Sequence, residues 1–211
     1  MEMNLARRSV LMLLAGAANA QNRKSLFDGR SADGWISVTG KEFPTHCWKV
    51  EDGCLVSKIA KPTFQDIRTI DEFGDFEFWF EWNIAAGGNC GVKYLIEKFD
   101  VWTPTGATLP HARGRGPEYQ LTDDAVSAEA KRDASKGTAS LYGKVAPREA
   151  PLRPAGQWNE SKIVVRRPRI EHWLNGVRVL EAAVPNAVER SPIVLQNHSS
   201  ECRFRALQIV T

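Results

Sequence analysis

Among the side chains of the types that catalysed proton transfer needs, His198, Glu118 and Lys93 stand on or beside expected strands. An imidazole with an ordinary pKa near 6.5 is neutral at neutral pH and able to take a proton. A carboxyl serves as acid or base, and an ammonium stabilises negative charge as it forms. His198 ends Leu195-Gln196-Asn197-His198, just before the run Cys202–Ile209. Glu118 sits in Gly116-Pro117-Glu118-Tyr119-Gln120-Leu121, where strand alternation puts Glu118 and Gln120 on one face and Tyr119 and Leu121 on the core face. Lys93 follows the Gly88-Asn89 turn. None of these is diagnostic alone, because a lone histidine near a strand end is more often structural and an exposed lysine is usually only solvated.

The segments that must hold these residues read as strands. Trp158–Glu181 forms a meander around Asn175-Gly176, the pair that most strongly signals a hairpin. Its alternation places Ile170, His172 and Leu174 on one face, which marks His172 as core or half-buried rather than catalytic. Gly74–Asn83 puts Phe76, Phe78, Phe80 and Trp82 on a core face, with Glu77, Trp79, Glu81 and Asn83 on the other. Shorter strands are expected at Gly91–Glu97, Glu118–Leu121 and Trp158–Arg166. Helical periodicity is confined to Asp124–Lys136, a polar run inside a long loop that closes at Lys136-Gly137. Many short strands with this patterning predict an all-β antiparallel sandwich of jelly-roll type.

Composition narrows the function classes. Arg7-Arg8, the apolar run Val10–Ala18 and the small-residue end Ala18-Asn19-Ala20 match the plan of a signal peptide over residues 1–20, leaving 21–211 as one sandwich domain. The apolar run is far shorter than the roughly 20 residues that span a bilayer, so no transmembrane segment is expected. Export by the general or the twin-arginine route to the periplasm or beyond follows. A net charge of +3 gives no support to nucleic-acid binding, and the basic cluster Arg166-Arg167-Pro168-Arg169 reads as a solvated turn. Cys47, Cys54, Cys90 and Cys202 allow up to two disulfides in an oxidising compartment, and free buried thiols fit equally well. None has zinc-ligand spacing.

Taken together, several segments resemble one known family. They are Leu26-Phe27-Asp28-Gly29 with Gly34-Trp35, Trp48-Lys49-Val50-Glu51-Asp52-Gly53, Gly88-Asn89-Cys90-Gly91-Val92-Lys93-Tyr94, Glu118-Tyr119-Gln120, Leu141-Tyr142, Gly156-Gln157-Trp158-Asn159, Glu171-His172-Trp173-Leu174-Asn175-Gly176, and Leu195-Gln196-Asn197-His198 with Phe204-Arg205. Their order and spacing resemble the 3-keto-disaccharide hydrolases from about Ser25 to the C-terminus. The resemblance implies a sandwich like that of concanavalin-type lectins and glucanases, with oxidised (3-keto) glycosides or oligosaccharides as substrates. The chain departs from the family pattern at Cys90 (more often serine), Asn197 (aspartate), Cys202 (valine) and Ala206-Leu207 (Asn-Ile). A carboxylate at 197 could orient His198 or raise its pKa, and an amide cannot supply that charge.

The chemistry so implied is specific. A ketone at sugar C3 acidifies the hydrogen on C2, so a base can remove it while the C1 oxygen leaves, and water addition then completes net hydrolysis. Such a site needs a base, an acid near the leaving oxygen and a cation beside the C3 oxygen. Glu118 and His198 are the acid–base candidates and Lys93 the cation. Asn89, Gln120 and Gln196 suit sugar hydroxyls, and Tyr142 or Trp173 suits a ring's C–H face. No cofactor is expected. A divalent metal stays open, with Glu118, Asp123 and His198 as possible ligands but no spacing signature joining them. The alternative is a non-catalytic, lectin-like carbohydrate-binding module, since sandwiches of this kind often bind glycans without cleaving them.

Overall fold

The structure, a computed structural model, describes residues 22–40, 42–60, 64–103, 105–106 and 110–211; the expected leader, residues 1–20, lies outside them. Alternating apolar residues set the strands. The chain runs through β1 (Lys24–Ser25), β2 (Trp35–Ser37), β3 (Trp48–Glu51), β4 (Cys54–Ser57), β5 (Ile67–Thr69), β6 (Phe76–Ile84), β7 (Asn89–Lys93), β8 (Lys98–Trp102), β9 (His111–Arg115) and β10 (Glu118–Thr122). After a short helix, α1 (Ala128–Arg132), come β11 (Asn159–Arg166), β12 (Arg169–Leu174), β13 (Val177–Ala183), β14 (Val194–Leu195) and β15 (Cys202–Val210).

Two antiparallel sheets face each other. The larger has eight strands, in the order β13-β12-β11-β6-β15-β4-β3 with β1 on β15; the smaller runs β10-β7-β14-β5-β2. One apolar cluster fills the space between them. Phe76, Phe78, Phe80 and Trp82 project into it from β6 with no more than 1% exposure, as the alternation requires. Tyr94, Tyr119 and Leu121 meet them from the smaller sheet. The sandwich expected from the sequence is therefore the fold observed. Asn175 and Gly176 have φ of 47° and 83°, the paired left-handed residues of a type I′ hairpin between β12 and β13.

His172 lies wholly inside this core. Its Nε2 is 2.7 Å from the Tyr94 hydroxyl and its Nδ1 is 2.9 Å from the Ala139 carbonyl. Burial lowers its pKa to about 4, only partly offset by the Ala139 carbonyl. The four cysteines are free and buried. Within the polar run, Ser127 caps α1 by accepting from the Ala130 N–H, and a 3₁₀ turn, Ala134–Lys136, ends it before Gly137.

The chain departs from the expected strands at two places that matter for the site. The strand expected at Gly91–Glu97 begins at Asn89 and ends at Lys93, because Leu95 takes φ +50° and turns the chain away. The released segment leads into the β8–β9 hairpin, which has no counterpart among the strands expected from the sequence. A second small apolar cluster, Val38, Ile96, Ala112 and Val194 with Phe99 against it, seats that hairpin over the face of the smaller sheet that points away from the core.

Candidate active site

The outward face of the smaller sheet is polar where it could have been solvated, and it is largely buried. Along β7, Cys90 and Val92 point to the core, so Asn89, Gly91 and Lys93 point outward. Pairing sets Glu118 opposite Lys93 and Gln120 opposite Gly91, while the Gln196 N–H donates to the Gly91 carbonyl (2.9 Å) from the other side. Five of the expected residues thus meet on three adjacent strands. The Lys93 ammonium, 6% exposed as a residue, lies 3.1 Å from Glu118 Oε2 and donates to the Gly114 carbonyl of β9 (3.2 Å). Gln196 Nε2 donates to the same Glu118 oxygen (3.2 Å). Gln120, with its amide nitrogen toward the carboxylate, donates to Glu118 Oε1 (3.0 Å) and to the Cys90 carbonyl (3.2 Å), while its other end lies 3.0 Å from Asn89 Oδ1.

Gly91 makes this packing possible. A Cβ there would stand 2.4 Å from Gln196 Oε1 and 2.8 Å from Glu118 Oε1, so both side chains lie across bare backbone. Gln196 Oε1 is itself buried without a hydrogen-bond partner among the described residues.

Two adjoining cavities open on this cluster, and Arg113 of β9 lines both. One, about 180 Å³, is bounded by Lys93, Arg113, Glu118, Tyr142 and Lys144. The other, about 50 Å³, is bounded by Asp66, Trp102, His111, Arg113, Gln196 and His198. Tyr142 is tied to the site by its N–H, which donates to the Glu118 carbonyl (3.0 Å), and its hydroxyl donates to Glu129 (3.2 Å). His198 is half-buried, and burial first, then the Arg113 and Lys93 charges, lower its pKa to about 4. It is a neutral imidazole at neutral pH. A larger concavity, about 540 Å³, lies elsewhere, along Lys24, Asp71, Arg190 and Thr211; it holds the exposed Lys24–Asp71 ion pair and none of the residues above.

Trp173 does not join this cluster. It sits on the outer face of the larger sheet, opposite Lys162, whose ammonium lies 4.2 Å from its ring centre, in a separate cleft with Trp79. The reason is the layer: β12 contributes its other face, Ile170, His172 and Leu174, to the core. Asp123 is also apart, at the far end of β10, accepting from the Gly87 and Ala125 N–H groups. Among the described residues, no three His, Cys, Asp or Glu side chains are gathered to hold a metal ion. Asn197 turns from His198 instead of orienting it. Its amide donates to the Cys47 and Lys58 carbonyls (3.0 and 3.3 Å) and accepts from the Ser199 N–H (2.7 Å), and an aspartate could not make the first two bonds.

Asp66 and Arg113 are the site residues that sequence reasoning missed. Alternation in Asp66-Ile67-Arg68-Thr69 carries a weak signal, since Ile67 and Thr69 are buried inward and so Asp66 and Arg68 face the other way. Nothing local places β5 beside β14.

Comparison with known proteins places the chain in a family. The model of the 3-keto-alpha-glucoside-1,2-lyase-like domain matches residues 22–210. The chain belongs to this family. A curated relative, a 3-keto-disaccharide hydrolase of Bacteroides thetaiotaomicron, is 30% identical over 166 residues, 74% of this chain and 57% of the relative. The chain therefore spans little more than half the length of that protein. A solved structure from Parabacteroides distasonis, named as a candidate glycosyl hydrolase, superposes with a TM-score of 0.73 at 25% identity, covering 90% of this chain and 94% of the other. The carbohydrate-binding module CBM66 of Bacillus subtilis shares the fold alone, with a TM-score of 0.51 at 13% identity over 84% of this chain and 96% of the module. Within the lyase-like family, Glu118, Lys93 and Gln196 thus form the polar centre of this member's smaller sheet.

Proposed function

We propose that this protein cleaves glycosides of 3-keto sugars, 3-keto-disaccharides being the substrate class, by elimination across C1–C2 followed by addition of water. The observation that carries this reading is the buried Lys93–Glu118 pair beside an open cavity. Glu118 takes the C2 proton, and the negative charge it gives up reappears on the C3 oxygen as an enolate. Lys93, already against that carboxylate, stays beside the charge as it moves, so little reorganisation is needed. The C1–O bond then breaks as the C3 carbonyl re-forms, leaving a C1–C2 double bond. Water adds its oxygen to C1, C2 regains a proton, and the sum is hydrolysis. His198, Gln120, Gln196, Asn89 and Tyr142 supply hydrogen-bonding groups around the ring.

The name of the Bacteroides thetaiotaomicron relative and the description of the family both support a 3-keto glycoside as substrate. A lectin-like surface needs only aromatic rings and amides, whereas this cleft is built around a carboxylate and an ammonium. The Arg7-Arg8 and Ala18-Asn19-Ala20 pattern supports action after export, in the periplasm or outside the cell.

The test is to incubate the purified protein with a 3-keto-glucoside and with its unoxidised parent. Only the oxidised substrate is expected to be cleaved, with a primary isotope effect when C2 carries deuterium, and Glu118→Gln should lower turnover by roughly 10²–10⁴-fold. Equal cleavage of the parent, or full activity of Glu118→Gln, would contradict the reading.

A further inference from the structure

The proposed elimination leaves one proton unassigned, the one that the departing glycosidic oxygen must gain. Glu118 is occupied as the base. His198 is neutral across the working range and Lys93 is held between Glu118 and Gly114, so neither is placed to supply it. We propose that Asp66 is the acid that protonates the leaving oxygen.

The placement supports this role. The strand order β10-β7-β14-β5 puts Glu118 and Asp66 at opposite sides of the same outward face, with Lys93, Gly91 and Gln196 between them. Three strand spacings and a two-residue stagger along the strands separate their backbones, about 16 Å. Because the Glu118 carboxylate reaches back over Gly91, about 10 Å remains between the two carboxyl groups, a span floored by Gln196, with Glu118 on the larger cavity, Asp66 on the smaller and Arg113 lining both. Asp66 lines the smaller cavity with Gln196, Arg113 and His198, and the Asn197 N–H fixes its Oδ1 at 2.8 Å. The residue is only 8% exposed. Burial pushes the carboxyl up to about 7 against the pull of the Asn197 N–H and the Lys93 and Arg113 charges, so the protonated form needed for donation is present at neutral pH.

The step balances. The C2–H bond breaks and its proton goes to Glu118; the electron pair passes through the enolate to make the C1–C2 double bond. The C1–O bond pair leaves with the oxygen, which takes the Asp66 proton. When water adds, its oxygen bonds C1, Asp66 recovers a proton from it, and Glu118 returns its own to C2.

This assignment rests on the elimination reading and is tested apart from it by varying the leaving group. A nitrophenolate leaves without a proton and a sugar alkoxide does not. Asp66→Asn keeps the shape and the acceptor for the Asn197 N–H, and it should lower cleavage of a 3-keto-disaccharide by roughly 10²–10⁴-fold while leaving the nitrophenyl 3-keto-glucoside within about tenfold of wild type. Equal losses on both substrates, or no loss on either, would overturn the assignment. If the variant fails to fold, the wild-type pH profile decides: kcat/KM for the disaccharide should fall above pH about 7 while that for the nitrophenyl glycoside does not. The same fall on both would overturn it. A wild-type protein that cleaves neither substrate removes the elimination itself, and the role of Asp66 with it; wild-type cleavage with an indifferent Asp66→Asn removes Asp66 alone.

Discussion

Gly91→Ala tests the site without touching a charge. The added methyl would stand 2.4 Å from Gln196 Oε1 and 2.8 Å from Glu118 Oε1, where ordinary carbon–oxygen contact is near 3.4 Å. Gln196 must therefore retreat by about 1 Å and Glu118 by about 0.6 Å, differences read directly from those two distances. Retreat breaks the shared geometry, because Gln196 Nε2 and the Lys93 ammonium both bond Glu118 Oε2, at 3.2 and 3.1 Å. A displacement of that size at a reacting group costs on the order of 10²-fold in rate. Stability should change much less. Overpacking costs about 1–3 kcal/mol, and replacing a strand glycine returns about 0.5–1 kcal/mol of chain entropy. The expected outcome is kcat/KM on a 3-keto-glucoside reduced about 100-fold, with a urea midpoint only slightly below wild type. A folded Gly91→Ala protein with wild-type activity would show that Glu118 and Gln196 are not held for catalysis.

Two further outcomes concern stability. His172 has a folded-state pKa of about 4 against 6.5, so the unfolded chain binds its proton first on acidification. The contribution is complete above pH 6.5 and is lost as pH falls towards 4, on the order of 3 kcal/mol; because His198 and Asp66 also titrate in that window, the readout is the difference in urea stability between wild type and His172→Gln, which should shrink by that amount as pH falls from 6.5 to 4, and a pH-independent difference would refute the assignment. Ala206 sits at φ +51° in the bulge where β15 shifts register against β6, a conformation that asparagine tolerates better than alanine. Ala206→Asn should raise stability by about 0.5–1 kcal/mol in thermal unfolding, and a loss would mean that the bulge geometry is set by something other than residue 206.

The faces of the strands could be read from the sequence because alternation is local. The aromatic face of β6, the hairpin at Asn175-Gly176, the burial of His172 and the shared face of Glu118 and Gln120 each depend on residues within a few positions of one another. The family segments carried the fold and most of the polar centre with them. Which sheet a strand joins is decided instead by how distant apolar faces are buried together. That decision put Trp173 on the outer side of the larger sheet, away from the polar centre, while its alternation with Ile170, His172 and Leu174 is local. It also set β5 beside β14, bringing Asp66 to a cavity shared with residues some 130 positions away, such as Gln196 and Asn197. Ionisation follows the same division. The sequence supplies a histidine and an aspartate with ordinary affinities for protons, and only the burial created by the assembled sheet and its covering hairpin moves His198 down to about 4 and Asp66 up to about 7.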